Sequence, residues 1–349
     1  MITEFKNNLY LYFNFAYGIK DLILFSKSGK YICEKFQELD PSASSLEQKI
    51  LNLYTSTDKE LKTSNSSNAA SIEISEFKPK KNEYSTYLTD IKSFINNHNL
   101  TRYADFIIFG SMASEDYVAE FSDTDIIMFL KDELFTSTKN VKWFKKRIHE
   151  LNGLLLRIDP MQDHGLFIVL PNEMHNYDQS VNIPLTVLEK GFNLGNGDLK
   201  MTFALMNETK QNKNQILDNY ISLSLKETNT VLNTVRFFRN LLHRAYLFPV
   251  FYLQAKGTHC YKKNSFELIK DDKRFDIIGE LSEYYNESYY QKRKHRVYPK
   301  LLFKKFPLLT RLILERIYGS KNQEFMTNDE LRNNVIHFQS LLKNIKSHG

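Results

Sequence analysis

Apolar residues recur along the chain at two different spacings, which separate predicted strands from predicted helices. Short, mainly apolar runs, typical of buried strands, lie at 104–109, 125–130 and 165–170. Helical spacing predicts helices over 83–96 and 138–155, and a short helix over 112–120. This order of elements predicts an α+β fold in which a small mixed β-sheet is flanked by helices.

Strand signals are weak on either side of this central region. Residues 1–60 are predicted to be mainly helical, and the polar stretch 62–81, rich in Ser, Thr and Asn, is predicted to be a linker or a loop. Beyond residue 200 the helical spacing continues, most clearly over 214–247, as one or two long helices. We therefore divide the chain into a helical N-terminal segment with a polar linker (1–80), a central domain (81–200) and a helical C-terminal domain (201–349).

Composition places the chain among ordinary globular proteins. Its 349 residues are 42% hydrophobic and 25% charged, which is enough for a buried core. The net charge of +6 suits anionic ligands such as nucleotide phosphates, nucleic acid or anionic lipid. The two cysteines form neither a metal pattern nor a disulfide framework. No secretory or transmembrane segment is recognisable, so a cytoplasmic location is expected.

One stretch of the sequence carries residues suited to phosphate and metal chemistry. Gly110 and Ser111 end the first apolar run, and after eleven intervening residues Asp123 and Asp125 begin the second. A strand that ends in Gly-Ser can point backbone N–H groups and a hydroxyl at a phosphate. Residues i and i+2 of a strand face the same side, so Asp123 and Asp125 present two carboxylates together. Paired carboxylates of this kind suit Mg²⁺, which is usually also bound to substrate phosphates.

The pattern of apolar run, Gly-Ser, Asp-x-Asp and second apolar run is similar to that of the DNA polymerase β-like nucleotidyltransferase superfamily. This superfamily includes antibiotic adenylyltransferases and poly(A)- and CCA-adding enzymes. The resemblance implies that 81–200 is the catalytic domain, that Gly110 and Ser111 hold the triphosphate, and that Asp123 and Asp125 bind Mg²⁺ or Mn²⁺. The central residue of the Asp-x-Asp pair is often apolar in the family and is Thr124 here, which is tolerable if its side chain faces away from the metals.

The resemblance also implies a third Asp, which completes a two-metal site and activates the acceptor hydroxyl. Asp163, directly before the third apolar run, is the first choice, and Asp159, before Pro160 in a turn-like context, is the alternative. The segment 159–165 is similar to that of bacterial members in which a His stands next to the strand. His164 is therefore either a base or substrate contact, or a turn residue without such a role.

Two further segments have an anion-binding interpretation. In similar enzymes a Lys and a Ser from the helical domain contact the β and γ phosphates, a role that Lys263 and Ser265 could fill. The alternative is that Asn264 or Ser265 caps a helix that begins at Phe266. The basic and apolar segment 292–306 suits a nucleic acid backbone or an anionic membrane surface, or is a solvated loop before a core helix.

These observations predict an enzyme that moves a nucleoside monophosphate from an NTP, with ATP as the first choice, to an acceptor hydroxyl with release of pyrophosphate. A small molecule or sugar is the expected acceptor, because no RNA-binding module is recognisable. A nucleotide-polymerising or RNA- or protein-modifying nucleotidyltransferase is one alternative. A catalytically weak module that binds NTP or nucleic acid is another.

Overall fold

A computed structural model describes residues 2–14, 45–61, 68–79, 83–114, 124–158, 164–179, 182–206, 210–230, 235–284 and 329–348. The described residues divide into two compact units, one before residue 208 and one after it. The chain is a mixed α+β protein with small sheets.

The first unit contains both strands and helices. Its described strands are β1 (Asn68–Ile74), β2 (Ala104–Phe109), β3 (Asp125–Leu130), β4 (Phe167–Val169), β5 (Phe192–Asn193) and β6 (Leu199–Leu205). Its described α-helices are α1 (Ile2–Asn14), α2 (Leu46–Leu61), α3 (Glu83–Asn97), α4 (Thr138–Ile158) and α5 (Leu185–Leu188). Short 3-10 helices cover Leu100–Arg102, Gly110–Met112, Asp132–Thr136 and Pro171–Asn176.

Four strands form the central sheet in the order β4-β3-β2-β5. β2 pairs antiparallel with both β3 and β5, whereas β4 pairs parallel with β3. The parallel connection runs through α4, as parallel neighbours require a crossover. The predicted mixed sheet is therefore confirmed, and β4 is one of its edges.

The two faces of the central sheet pack against different layers. Phe106 and Ile108 of β2 belong to a core shared with α1, α3 and α4. Ile107 and Phe109 belong to a second core shared with the β1–β6 pair. Burial on both faces explains why β2 and β3 are continuous apolar runs in place of alternating ones.

Local periodicity predicted the elements of this core well. The helices expected over 83–96 and 138–155 are α3 and α4, and the first two apolar runs are β2 and β3 without any shift. The third run forms a shorter strand than expected, since β4 covers only Phe167–Val169. Residues 110–112 form a 3-10 turn, and the rest of the helix predicted over 112–120 lies largely outside the described residues.

The interpretation of 62–81 as a linker or loop is wrong for residues 68–74. These residues form β1, which pairs antiparallel with β6 along its whole length. Ile72 and Ile74 point into the second core, while the Ser71 hydroxyl lies 3.1 Å from that of Thr202 on the exposed side. Small and polar residues at 68–71 hide this alternation from a sequence analysis. The loss of strand signals expected near residue 200 is likewise wrong, because β6 extends to Leu205.

The described residues of the second unit form helices and no strand. They are α6 (Lys210–Thr230), α7 (Val235–Ala255), α8 (Lys262–Ile269), α9 (Asp276–Tyr284) and α10 (Asp329–His348), with a 3-10 turn at Lys273–Phe275. Phe248 of α7 is fully buried, and its ring lies edge-to-face on Phe338 of α10. Within the described part of the chain, no helix is long and apolar enough to cross a bilayer.

Candidate functional site

A tight turn follows β2 at Gly110. Gly110 has a φ of 70°, a left-handed conformation that favours glycine, and it opens the 3-10 turn Gly110–Met112. Its carbonyl oxygen accepts hydrogen bonds from the backbone N–H groups of Ala113 and Ser114, and from the Ser114 hydroxyl at 2.9 Å. Ser111 is buried within the turn. The strand end is thus fixed by bonds of its own backbone.

Asp125 lies directly against this turn. The antiparallel register pairs Asp125 with Phe109, the residue before Gly110. A β-carbon added to Gly110 would lie 2.2 Å from Oδ2 of Asp125, so only glycine leaves room for that oxygen. The Asp125 side chain keeps 26% of its surface exposed, whereas the preceding Thr124 is 1% exposed. The structure therefore brings together Gly110 and Asp125 of the predicted site, with Asp125 accessible to solvent.

His164 reaches the same carboxylate from the segment before β4. Its Nε2 lies 3.2 Å from Oδ1 of Asp125, and its Nδ1 lies 2.9 Å from the carbonyl oxygen of Gly165. Both oxygens only accept hydrogen bonds, so an imidazolium satisfies both contacts and a neutral ring satisfies one. The ring also packs on Phe167, with centroids 4.8 Å apart. His164 therefore contacts the carboxylate of Asp125, whereas its role as a base or substrate contact stays a prediction.

The segment that carries His164 is bound by α1. Leu166 donates its backbone N–H to Oδ1 of Asn14 at 2.8 Å and accepts from Nδ2 of Asn14 at 3.0 Å. Gly165 donates its backbone N–H to the hydroxyl of Tyr10 at 2.9 Å. These contacts were not predicted, because polar residues in a helical pattern give no sign of which distant backbone they bind.

The remaining predicted carboxylates cannot be placed. Asp123, Asp159 and Asp163 lie outside the described residues. Among the residues that the structure does describe, no group of three His, Cys, Asp or Glu side chains is arranged to hold a metal ion. Asp125 is thus the described member of the predicted carboxylate set.

Lys263 and Ser265 belong to the second unit. Both lie in α8, which begins at Lys262 after the N-cap residue Tyr261, so the expected start at Phe266 with an Asn264 or Ser265 cap is wrong. Ser265 is fully buried, and its hydroxyl donates to the carbonyl oxygen of Lys262 at 2.6 Å. The Ser265 hydroxyl is therefore engaged within its own helix. The basic segment 292–306 lies outside the described residues.

Another carboxylate of the central sheet lies at the opposite end of the β2–β3 pair. Asp105 pairs with Phe129 in the register, and its carboxylate lies 2.7 Å from Nζ of Lys131. Burial raises the pKa of Asp105, and the nearby Lys131 opposes that rise without cancelling it. Asp105 is thus a structural carboxylate, separated from Asp125 by the length of the strand.

No protein-family model, curated protein or solved structure was found to match this chain.

Proposed function

We propose that this protein is a metal-dependent nucleotidyltransferase whose site is built around Asp125 and the turn at Gly110. The observation that supports this most directly is the contact between that turn and the Asp125 carboxylate. A turn suited to phosphate and a carboxylate suited to a divalent cation meet at one strand end. The similarity of this segment to polymerase β-like nucleotidyltransferases gives the same assignment.

The described residues fit a hard divalent cation. Asp125 offers carboxylate oxygens, the ligand type that Mg²⁺ and Mn²⁺ prefer. Oδ1 faces the imidazole of His164, whereas Oδ2 faces the glycine turn, where a side chain at residue 110 would fill the space. Asp125 would hold the cation together with Asp123 and a third carboxylate, Asp163 or its alternative Asp159. When bound, the cation would neutralise phosphate charge and polarise the phosphorus centre.

In the proposed reaction, the turn at Gly110 and Ser111 binds the β and γ phosphates of an NTP, with ATP as the first choice. The acceptor oxygen forms a bond to the α phosphorus, and the bond from that phosphorus to the pyrophosphate oxygen breaks. The third carboxylate takes the proton of the acceptor hydroxyl. The protein's contribution is mainly positioning and charge neutralisation, as in other phosphoryl-type transfers. A small molecule or sugar remains the proposed acceptor.

The proposal is tested with the full-length protein and ATP labelled in its α phosphate. Pyrophosphate release and transfer of label to candidate acceptors are measured with Mg²⁺ and with Mn²⁺ for the wild type, Asp125→Asn and Asp105→Asn. Asp105→Asn is the matched control, because it makes the same chemical change at the far end of the same strand pair. We expect Asp125→Asn to lose at least ~100-fold in the rate of pyrophosphate release, the equivalent of ~3 kcal/mol of lost charge stabilisation.

Three outcomes would contradict the proposal. Equal rates in the wild type and Asp125→Asn would remove Asp125 from the chemistry. Binding of Mg·ATP without pyrophosphate release, across the four NTPs and all acceptors, would favour the alternative of an NTP-binding module. Label incorporated into RNA or protein in place of a small acceptor would favour the polymerising or macromolecule-modifying alternative.

A further inference from the structure

We propose that α1 positions residues of this site, with Asn14 and Tyr10 as the positioning residues that hold His164 against Asp125. This inference rests on the proposed function for its catalytic readout. It assigns a role to the N-terminal helix, which the sequence separates from the catalytic domain by more than sixty residues.

Asn14 takes the position of a strand neighbour on the outer side of β4. Among the described strands, β4 lies at the edge of the central sheet, so the backbone on its outer side pairs with no described strand. Leu166, directly before β4, is fully buried, and an unpaired buried N–H or C=O would be costly. The side-chain amide of Asn14 accepts from the N–H of Leu166 and donates to its C=O, as a peptide group of a neighbouring strand would.

The Asn14 amide is itself held in place. Asn14 is 4% exposed, and its Oδ1 also accepts from Nδ2 of Asn152 on α4 at 3.2 Å. Asn152 is fully buried and contacts the carbonyl oxygen of Phe13 at 3.3 Å through the same nitrogen. The end of α1 is thus fixed against α4, and the orientation of the Asn14 amide is fixed with it.

Gly165 allows α1 to approach this closely. A β-carbon at residue 165 would lie 2.1 Å from Oδ1 of Asn14. The backbone N–H of Gly165 binds the hydroxyl of Tyr10, and its carbonyl oxygen binds Nδ1 of His164. The two peptide groups that flank Gly165 are therefore held by Tyr10 and Asn14 of α1, and the carbonyl oxygen of Gly165 in turn holds the imidazole of His164.

The chain of contacts ends at the proposed metal-binding carboxylate. Asn14 and Tyr10 fix residues 165 and 166, Gly165 orients His164, and His164 lies on Oδ1 of Asp125. Hydrogen-bond partners behind a metal ligand commonly set its orientation, and their loss costs ~10- to 100-fold in metal affinity or activity. We expect losses at the lower end of that range, ~10-fold, when the contacts of α1 are removed, because α1 acts on Asp125 through His164.

The test compares two chemically identical substitutions on α1. Tyr10→Phe removes the hydroxyl that binds Gly165, whereas Tyr12→Phe removes a hydroxyl that donates to Glu47 of α2 at 2.7 Å. Asn14→Ala removes the amide. Each full-length variant is measured for amide hydrogen exchange at residues 165 and 166, for binding of Mn²⁺ alone by electron paramagnetic resonance, and for kcat and KM of pyrophosphate release.

We expect faster exchange at Gly165 in Tyr10→Phe and at Leu166 in Asn14→Ala, together with Mn²⁺ binding weakened ~10-fold and a lower kcat at similar KM. Tyr12→Phe should match the wild type in all three. If exchange rises while Mn²⁺ binding and kcat stay at the Tyr12→Phe level, α1 only stabilises the fold and the inference is overturned. If the wild type shows no turnover but Mn²⁺ binding still falls in Tyr10→Phe and Asn14→Ala, the inference is sustained and the proposed reaction is overturned. A wild type that neither binds Mn²⁺ nor turns over would overturn both.

Discussion

The Asp125 carboxylate packs so closely on Gly110 that a β-carbon at residue 110 would clash with it. A β-carbon at residue 110 would lie 2.2 Å from Oδ2 of Asp125, and the φ of 70° at Gly110 is itself unfavourable for any other residue. The turn and the carboxylate are therefore packed against each other, and a side chain at residue 110 would displace the carboxylate.

This contact predicts the effect of Gly110→Ala. The left-handed backbone conformation costs ~1–2 kcal/mol in stability for a residue with a β-carbon, and the clash must in addition displace the Asp125 carboxylate. We expect a loss of at least ~10-fold in pyrophosphate release, as for the loss of other contacts that orient a metal ligand. Thermal unfolding and the same pyrophosphate assay measure the two effects separately.

Gly197→Ala is the matched control for the backbone. Gly197 has a φ of 76°, and a β-carbon there would meet nothing within 4 Å. Gly197→Ala should lower the free energy of unfolding about as much as Gly110→Ala does and keep the wild-type rate of pyrophosphate release. Equal activity losses in both variants would show that Gly110 acts through stability alone.

The parts of this fold that follow from the sequence are those set by neighbouring residues. β2 and β3 are buried on both faces, so each is a continuous apolar run that stands out in the sequence. α4 has its fully buried residues at helical spacing, which is equally visible: Val141, Phe144, Ile148, Leu151 and Leu155. That Gly110 contacts Asp125 also requires the antiparallel pairing of β2 with β3, which is a property of the folded sheet.

The parts that do not follow depend on partners far away in the chain. β1 becomes a strand because β6 provides its partner, with Ser71 opposite Thr202, 131 residues later. The contact between Asn14 and Leu166 spans 152 residues and joins a side chain to a backbone, so no periodic pattern records it. Propensity and periodicity describe a residue's neighbours along the chain and contain no information on such pairings.

His164→Gln tests whether the imidazole orients Asp125 or only competes with a cation for it. If His164 orients the carboxylate through its 3.2 Å contact with Oδ1, its loss should weaken Mn²⁺ binding and lower kcat by roughly 10-fold. If it only competes with the cation for Oδ1, its removal should strengthen Mn²⁺ binding. His98→Gln is the control, since His98 packs on the ring of Phe94 in α3. Titration of both variants with Mn²⁺ decides between the two directions.

Phe203→Ala tests whether the β1–β6 pair is part of the core. Phe203 is fully buried in β6, and its ring packs on Phe129 of the central sheet and on Tyr177. Truncation of a buried Phe costs ~3–5 kcal/mol, whereas Thr202→Ala on the exposed side of the same strand should cost less than ~1 kcal/mol. Urea unfolding followed by the fluorescence of Trp143, the only tryptophan, reports on the first unit. Equal, small losses in both variants would show that the second core contributes little stability.

The pKa of Asp105 predicts a pH-dependent effect of Asp105→Asn. Burial raises the pKa of Asp105 in the folded protein, despite the nearby Lys131, so the folded state favours the protonated carboxyl more than the unfolded state does. The stabilising contribution of this group is therefore complete below the unfolded pKa of 3.8 and is lost as the pH rises through the higher folded value.

Asparagine at residue 105 resembles the protonated form of Asp105 at every pH. Relative to the wild type, Asp105→Asn should thus gain stability between acidic and neutral pH. Urea unfolding of both proteins across that pH range, followed by Trp143 fluorescence, measures the difference. A gain that shrinks or reverses toward neutral pH would mean that the ion pair with Lys131 outweighs the cost of burying the charge.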